Sequence, residues 1–145
     1  MDKQELEALD ERGLAAWGSH DPDAWADLFA DDFVYHDWTV PEPIRRDKDA
    51  LRSTFMAWMT AFPDFQMKQV DRVVGEDAVA GEVMFTGTNS GPMAMGGMEM
   101  PPTGKTAQGR GSYIAHVKDG KIVEFRAYPD AAGVMVQLGL MPAMG

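Results

Sequence analysis

At Pro63 the apolar spacing of the chain changes from mainly helical stretches to long strands, and that change limits the fold more than any other feature. Before it, apolar residues recur at helical intervals in three stretches. From Gln4 to Trp17, residues Leu6, Leu9, Leu14 and Trp17 fall near one face, and Gly18 ends the pattern. Asp21-Pro22-Asp23 opens a second helix, because Asp caps free N–H groups, Pro suits the first position and acidic side chains match the helix dipole. Trp25, Leu28 and Phe29 form its buried stripe. A third helix runs from about Asp47 to Phe62, with Leu51, Phe55, Trp58, Met59 and Phe62 on one side and Pro63 as its stop. Between the second and third helices, the aromatic and β-branched run Phe33 to Trp38 reads as a strand. After Pro63 the pattern alternates, predicting strands at Phe65 to Val74, Ala78 to Thr88, Lys105 to Val117 and Lys121 to Tyr128. Gly and Pro punctuation makes Ser90 to Gly104 a long loop. This order predicts one α+β domain over residues 1–145, with helices on one face of a curved, largely antiparallel sheet.

Charge and composition then remove whole classes of function. Lys plus Arg is 13 against 23 Asp plus Glu, a net charge of −10 that repels phosphate backbones, so no nucleic-acid partner is expected. There is no cysteine, which excludes disulfides and thiolate chemistry. The charged opening MDKQELEALDERG is not a signal peptide, and no apolar run approaches the ~20 residues of a membrane span, so no membrane partner and a cytoplasmic location are expected. His20, His36 and His116 lack ligand spacing, and no metal is expected. Gly109-Arg110-Gly111 lacks the following helix of a phosphate site, and no cofactor is expected.

Asp119-Gly120 is the best turn signal, since a two-residue hairpin turn needs positive φ. With those two as the loop, Lys118 pairs with Lys121, Ile114 with Phe125, Ser112 with Ala127 and Arg110 with Pro129. The face carrying Ile114, Val123, Phe125 and Ala127 is the more apolar, so it is expected inside, which brings Arg110 and Ser112 inside too. A bulge before Tyr128 would exchange faces. In the earlier strand, Tyr35 and Asp37 share one face and His36 and Trp38 the other. Asp37, ending an aromatic strand, is the best carboxylate candidate, either as a base or as a cap on the Pro-rich loop.

Several segments resemble SnoaL-like polyketide cyclases within the nuclear-transport-factor-2-like superfamily. They are Trp17 to Trp38, Ala61 to Phe65, Phe85 to Asn89, Pro101 to Lys105, Asp119 to Phe125 and Gln137 to Leu140. The resemblance implies a cone, a strongly curved mixed sheet wrapped round three helices of the N-terminal half with an apolar pocket inside. The segment Gly133 to Leu140, with Met135, would lie near the mouth, and a homodimer would form through the sheet. Asp37 matches the general-base aspartate of ketosteroid isomerases. Tyr35 and Asp37 also resemble the water-holding Tyr-x-Asn pair of limonene-type epoxide hydrolases, and Arg110 and Ser112 their Arg-x-Asp. The catalytic aspartate of the last strand is replaced by Ala127, and the isomerase's oxyanion tyrosine by Gly13.

The expected function is cofactor-free acid–base catalysis on a small apolar carbonyl compound, as an aldol-type cyclase or isomerase. Asp37 abstracts a proton, and Arg110 or Tyr35 stabilises the oxyanion. Trp58, Ser112, Phe125, Trp38 and Met135 are expected to contact substrate. Alternatives are epoxide hydrolase-like water activation by Tyr35, Asp37 and Arg110, a structural Asp37–Arg110 ion pair, and a non-catalytic binding or dimerisation module. Met93, Met95, Met98 and Met100 read either as an adaptable lid or as a surface loop.

Overall fold

The computed structural model describes residues 1–95 and 97–144. Three helices precede the long strands: α1 (Lys3–Gly18), α2 (Pro22–Ala26) and α3 (Lys48–Ala61). Each begins on an aspartate, Asp2, Asp21 and Asp47, whose carboxylate accepts a backbone N–H three residues on. Between α2 and α3 lie β1 (Phe29–Asp37) and the short β2 (Ile44–Arg45). Then come β3 (Gln66–Val74), β4 (Ala78–Thr88), β5 (Met93–Met95), β6 (Met98–Met100), β7 (Thr106–Lys118), β8 (Lys121–Pro129) and a last helix, α4 (Ala131–Gln137). Predicted and observed bounds of the long elements agree within a few residues.

Six strands form one mixed sheet in the order β2-β1-β8-β7-β4-β3, with β1 parallel to β8 and every other pair antiparallel. The helices cover its concave face, and Leu6, Leu9, Trp25, Leu51 and Phe55 meet Phe29, Phe33, Val79 and Phe85 in one core. The fold is the expected α+β cone. No helix among the described residues is long and apolar enough to cross a membrane.

Phe29 opens β1 rather than closing the second helix's stripe, β2 and α4 add to the expected elements, and two further features differ from the sequence expectation. Part of the segment expected to be loop is a hairpin, β5–β6, held at its base by Asn89. That side chain is 1% exposed; it donates to the carbonyls of Ala61 and Gly91 and accepts from the backbone and hydroxyl of Thr103. Met93 packs on the core and Met98 is exposed, and neither is among the described residues that line the cavity below.

The second difference is the phase of β7. Asp119 (φ 53°) and Gly120 (φ 78°) make the expected turn, and Lys118 pairs with Lys121 and Val117 with Ile122. Val123 then bulges, so His116 pairs with Glu124, Ala115 with Phe125, and Tyr113 with Ala127. One extra residue on β8 keeps Phe125 and Ala127 inside as expected but reverses every β7 side chain beyond it. Tyr113, Ala115 and Val117 face the helices, while Arg110, Ser112 and Ile114 share the outer face.

Candidate active site

The concave face encloses a cavity of about 120 Å³. Its walls are mostly apolar, with Trp17, Trp25, Trp58, Phe65, Phe85 and Phe125 among them. Polar groups interrupt this lining at two ends.

The first end is on β1. Asp37 is 4% exposed and, with Asn89, is one of two buried polar residues among the described residues. One of its oxygens accepts the Thr39 N–H (3.0 Å) and hydroxyl (2.6 Å), which closes the turn into the Pro-rich loop. The other has no hydrogen bond, and no cation pairs with the carboxylate, among the described residues. Two residues back on the same face, Tyr35 is 3% exposed and lines the cavity, and its hydroxyl also has no partner among the described residues. Burial, with the nearby Asp37 charge, pushes the Tyr35 hydroxyl far above the ordinary tyrosine range, so it stays a proton donor.

The second end is on α1, β3 and β7. Tyr113 donates to Asp10, whose side chain is only 6% exposed. Gln69 Nε2 donates to the other Asp10 oxygen (2.9 Å), and the Arg72 guanidinium lies 3.6 Å from it. Burial and the Asp10 charge push the Tyr113 hydroxyl upward as well. Phe125 stands between the two tyrosines, its ring stacked on Tyr35 (5.7 Å between centroids) and on Tyr113 (5.3 Å).

Of the residues expected from sequence, Asp37, Tyr35, Trp58 and Phe125 come together in this cavity, and Ser112 reaches only its rim. Arg110 is a correction: the bulge turns it to the outer face, where it is exposed and 3.7 Å from Glu82. It pairs with neither Asp37 nor a ligand in the cavity. Trp38 is 66% exposed, because strand alternation aims it away from the face of Asp37. Met135 on α4 packs against the core rather than the cavity. His36 and His116 flank Glu124 on the outer face, at 3.1 and 3.9 Å.

Tyr113 and Asp10 went unread in the sequence. The bulge hid Tyr113, but Asp10 carried a signal: Leu6, Leu9, Gly13, Leu14 and Trp17 share one helical stripe, and Asp10 is the charged residue within it.

A profile of SnoaL-like polyketide cyclases matches residues 7–138. The chain belongs to this family. Among solved structures, it is similar to AclR of Streptomyces galilaeus, a candidate hydroxylase, with a TM-score of 0.83 and 24% identity over 99% of this chain and 87% of that one. It is also similar to IdmH of Streptomyces antibioticus, a candidate polyketide cyclase, with a TM-score of 0.75 and 27% identity over 92% of this chain and 98% of that one. A protein with a ketosteroid isomerase-like fold from Catenulispora acidiphila, solved with trimethylamine, aligns at a TM-score of 0.73 and 16% identity, over 92% of this chain and 93% of that one. Among curated proteins, none matches the sequence. In this SnoaL-like chain, two lining positions carry at most a methyl group. Gly13 and Ala127, where the resemblance puts functional side chains in relatives, both open onto the cavity.

Proposed function

We propose that this SnoaL-like protein is a cofactor-free acid–base catalyst acting on a small, largely apolar carbonyl compound. Asp37 is the base. Its unengaged oxygen takes a proton from the carbon beside the substrate carbonyl, and the C–H electron pair becomes an enolate. The Tyr35 hydroxyl, neutral and without another partner, donates to the enolate oxygen, replacing the Arg110 role read from sequence. In an aldol-type cyclisation the enolate carbon attacks a second carbonyl of the same molecule, and Asp37 returns its proton to the new alkoxide. In an isomerisation the proton returns to a different carbon.

One observation carries this reading: among the described residues, a buried carboxylate with one free oxygen and no cation beside it shares an apolar cavity with an unengaged tyrosine hydroxyl. An epoxide hydrolase-like reading needs a third polar group with Tyr35 and Asp37, and Arg110 on the outer face does not supply one.

The test compares wild type with Asp37→Asn and Tyr35→Phe on β-keto esters, unconjugated enones and small epoxides. Turnover should fall by about a hundredfold or more in Asp37→Asn, and about tenfold or more in Tyr35→Phe. Equal turnover in wild type and Asp37→Asn would remove Asp37 from the chemistry. No turnover in either would make the chain a binding module.

A further inference from the structure

The sheet register places one row of inward residues across five strands. Asp37 on β1 pairs with Ala127 on β8, Ala127 with Tyr113 on β7, Tyr113 with Gly81 on β4, and Gly81 with Arg72 on β3. Two strand spacings put the Asp37 and Tyr113 backbones about 10 Å apart, with only the Ala127 methyl between them. The Tyr113 ring reaches one strand further, over Gly81 on β4, so the two polar groups stand at opposite ends of the row and a ligand touching both is elongated along it.

Proton inventory decides what the Tyr113 end recognises. A tyrosine hydroxyl has one proton and two lone pairs. Tyr113 spends its proton on Asp10. Gln69 Nε2, which donates to Asp10, lies 3.3 Å from the same hydroxyl and covers one lone pair. Lone pairs are what this end has left for a ligand, so a carbonyl or carboxylate there meets repulsion. Arg72 already balances the Asp10 charge, which favours a neutral donor over an ammonium group.

The arrangement is more than a tie between helix and sheet. Arg72 makes such a tie through other partners, donating to the Glu7 carbonyl (3.2 Å) and the Glu11 carboxylate (3.4 Å). Tyr113 instead lies flat over β4, which only glycine permits: a Cβ at Gly81 would come within 2.4 Å of the ring and its hydroxyl. Both Tyr113 and Asp10 line the cavity.

We infer that Tyr113 and Asp10 form a hydrogen-bond-accepting subsite that receives a hydroxyl group of the substrate, opposite Asp37. The inference rests on the cavity being the substrate site, as proposed above, and narrows the substrate to a carbonyl compound with a hydroxyl donor at the end away from Asp37.

The test measures binding rather than turnover, so it stands apart from the catalytic reading. Dissociation constants of 2-naphthol, 2-methylnaphthalene and 2-naphthaldehyde are measured by tryptophan quenching on Asp37→Asn protein, which lacks the competing acceptor carboxylate. 2-Naphthol should bind about three- to tenfold tighter than 2-methylnaphthalene. Adding Tyr113→Phe should abolish that gap. Adding Asp10→Asn instead gives Tyr113 an amide donor and turns its own proton into the cavity, so the preference should shift to 2-naphthaldehyde. Circular dichroism verifies each fold, and either second substitution decides the matter if the other unfolds. No hydroxyl preference, a preference surviving both second substitutions, or no binding of 2-naphthol would overturn the subsite. A Tyr113-dependent preference in a protein without turnover would keep the subsite and sink the catalytic reading.

Discussion

Tyr35 and Tyr113 stand either side of Phe125, each buried near a carboxylate, and both effects favour the neutral hydroxyl. In the unfolded chain these tyrosines ionise near the ordinary value of 10.0. In the native protein they hold their protons to higher pH. The folded state therefore binds more protons above pH ~10, so their contribution to stability is fully present below that value and is lost as pH rises beyond it. Melting curves should show a fall in Tm above about pH 10 that Tyr113→Phe makes shallower, even though that variant starts from a lower Tm. Absorbance of phenolate should show that two of the three tyrosines stay protonated until the chain unfolds. An unchanged alkaline slope in Tyr113→Phe would contradict the assignment.

At the scale of elements, local chemistry and long-range fit share the control. The Asp caps, the Pro63 stop and the Asp119-Gly120 turn each act within a few residues, and each sits where the sequence places it. Asn89 works differently. Its side chain joins the end of α3 to both ends of the segment that carries β5 and β6. Asn89→Ala leaves buried carbonyl and N–H groups unpaired, and a cost of about 2–4 kcal/mol is expected from urea unfolding. A cost below about 1 kcal/mol would mean that water replaces the amide without loss. Nothing in the segment Phe85 to Asn89 distinguishes this residue from a loop asparagine, because its partners lie up to 28 positions away.

For the whole molecule, a net charge of −10 sets self-repulsion against ion pairs that mostly sit at the surface. Exposed pairs contribute about 0–1 kcal/mol each, and repulsion summed over the acidic surface should outweigh them. Raising salt from roughly 0.02 to 0.3 M should therefore raise the Tm by a few degrees. A falling Tm would show that the pairs dominate. The sequence by itself determined the first three helices, the long strands, the turn, and the shared inward face of Tyr35 and Asp37, because propensity, capping and alternation act between near neighbours. Tertiary structure alone decided the bulge at Val123, and with it that Tyr113 rather than Arg110 enters the cavity. It also joined Tyr113 to Asp10, 103 positions apart. A bulge leaves no local mark, since its position depends on how a twisted sheet closes over the helices that pack against it.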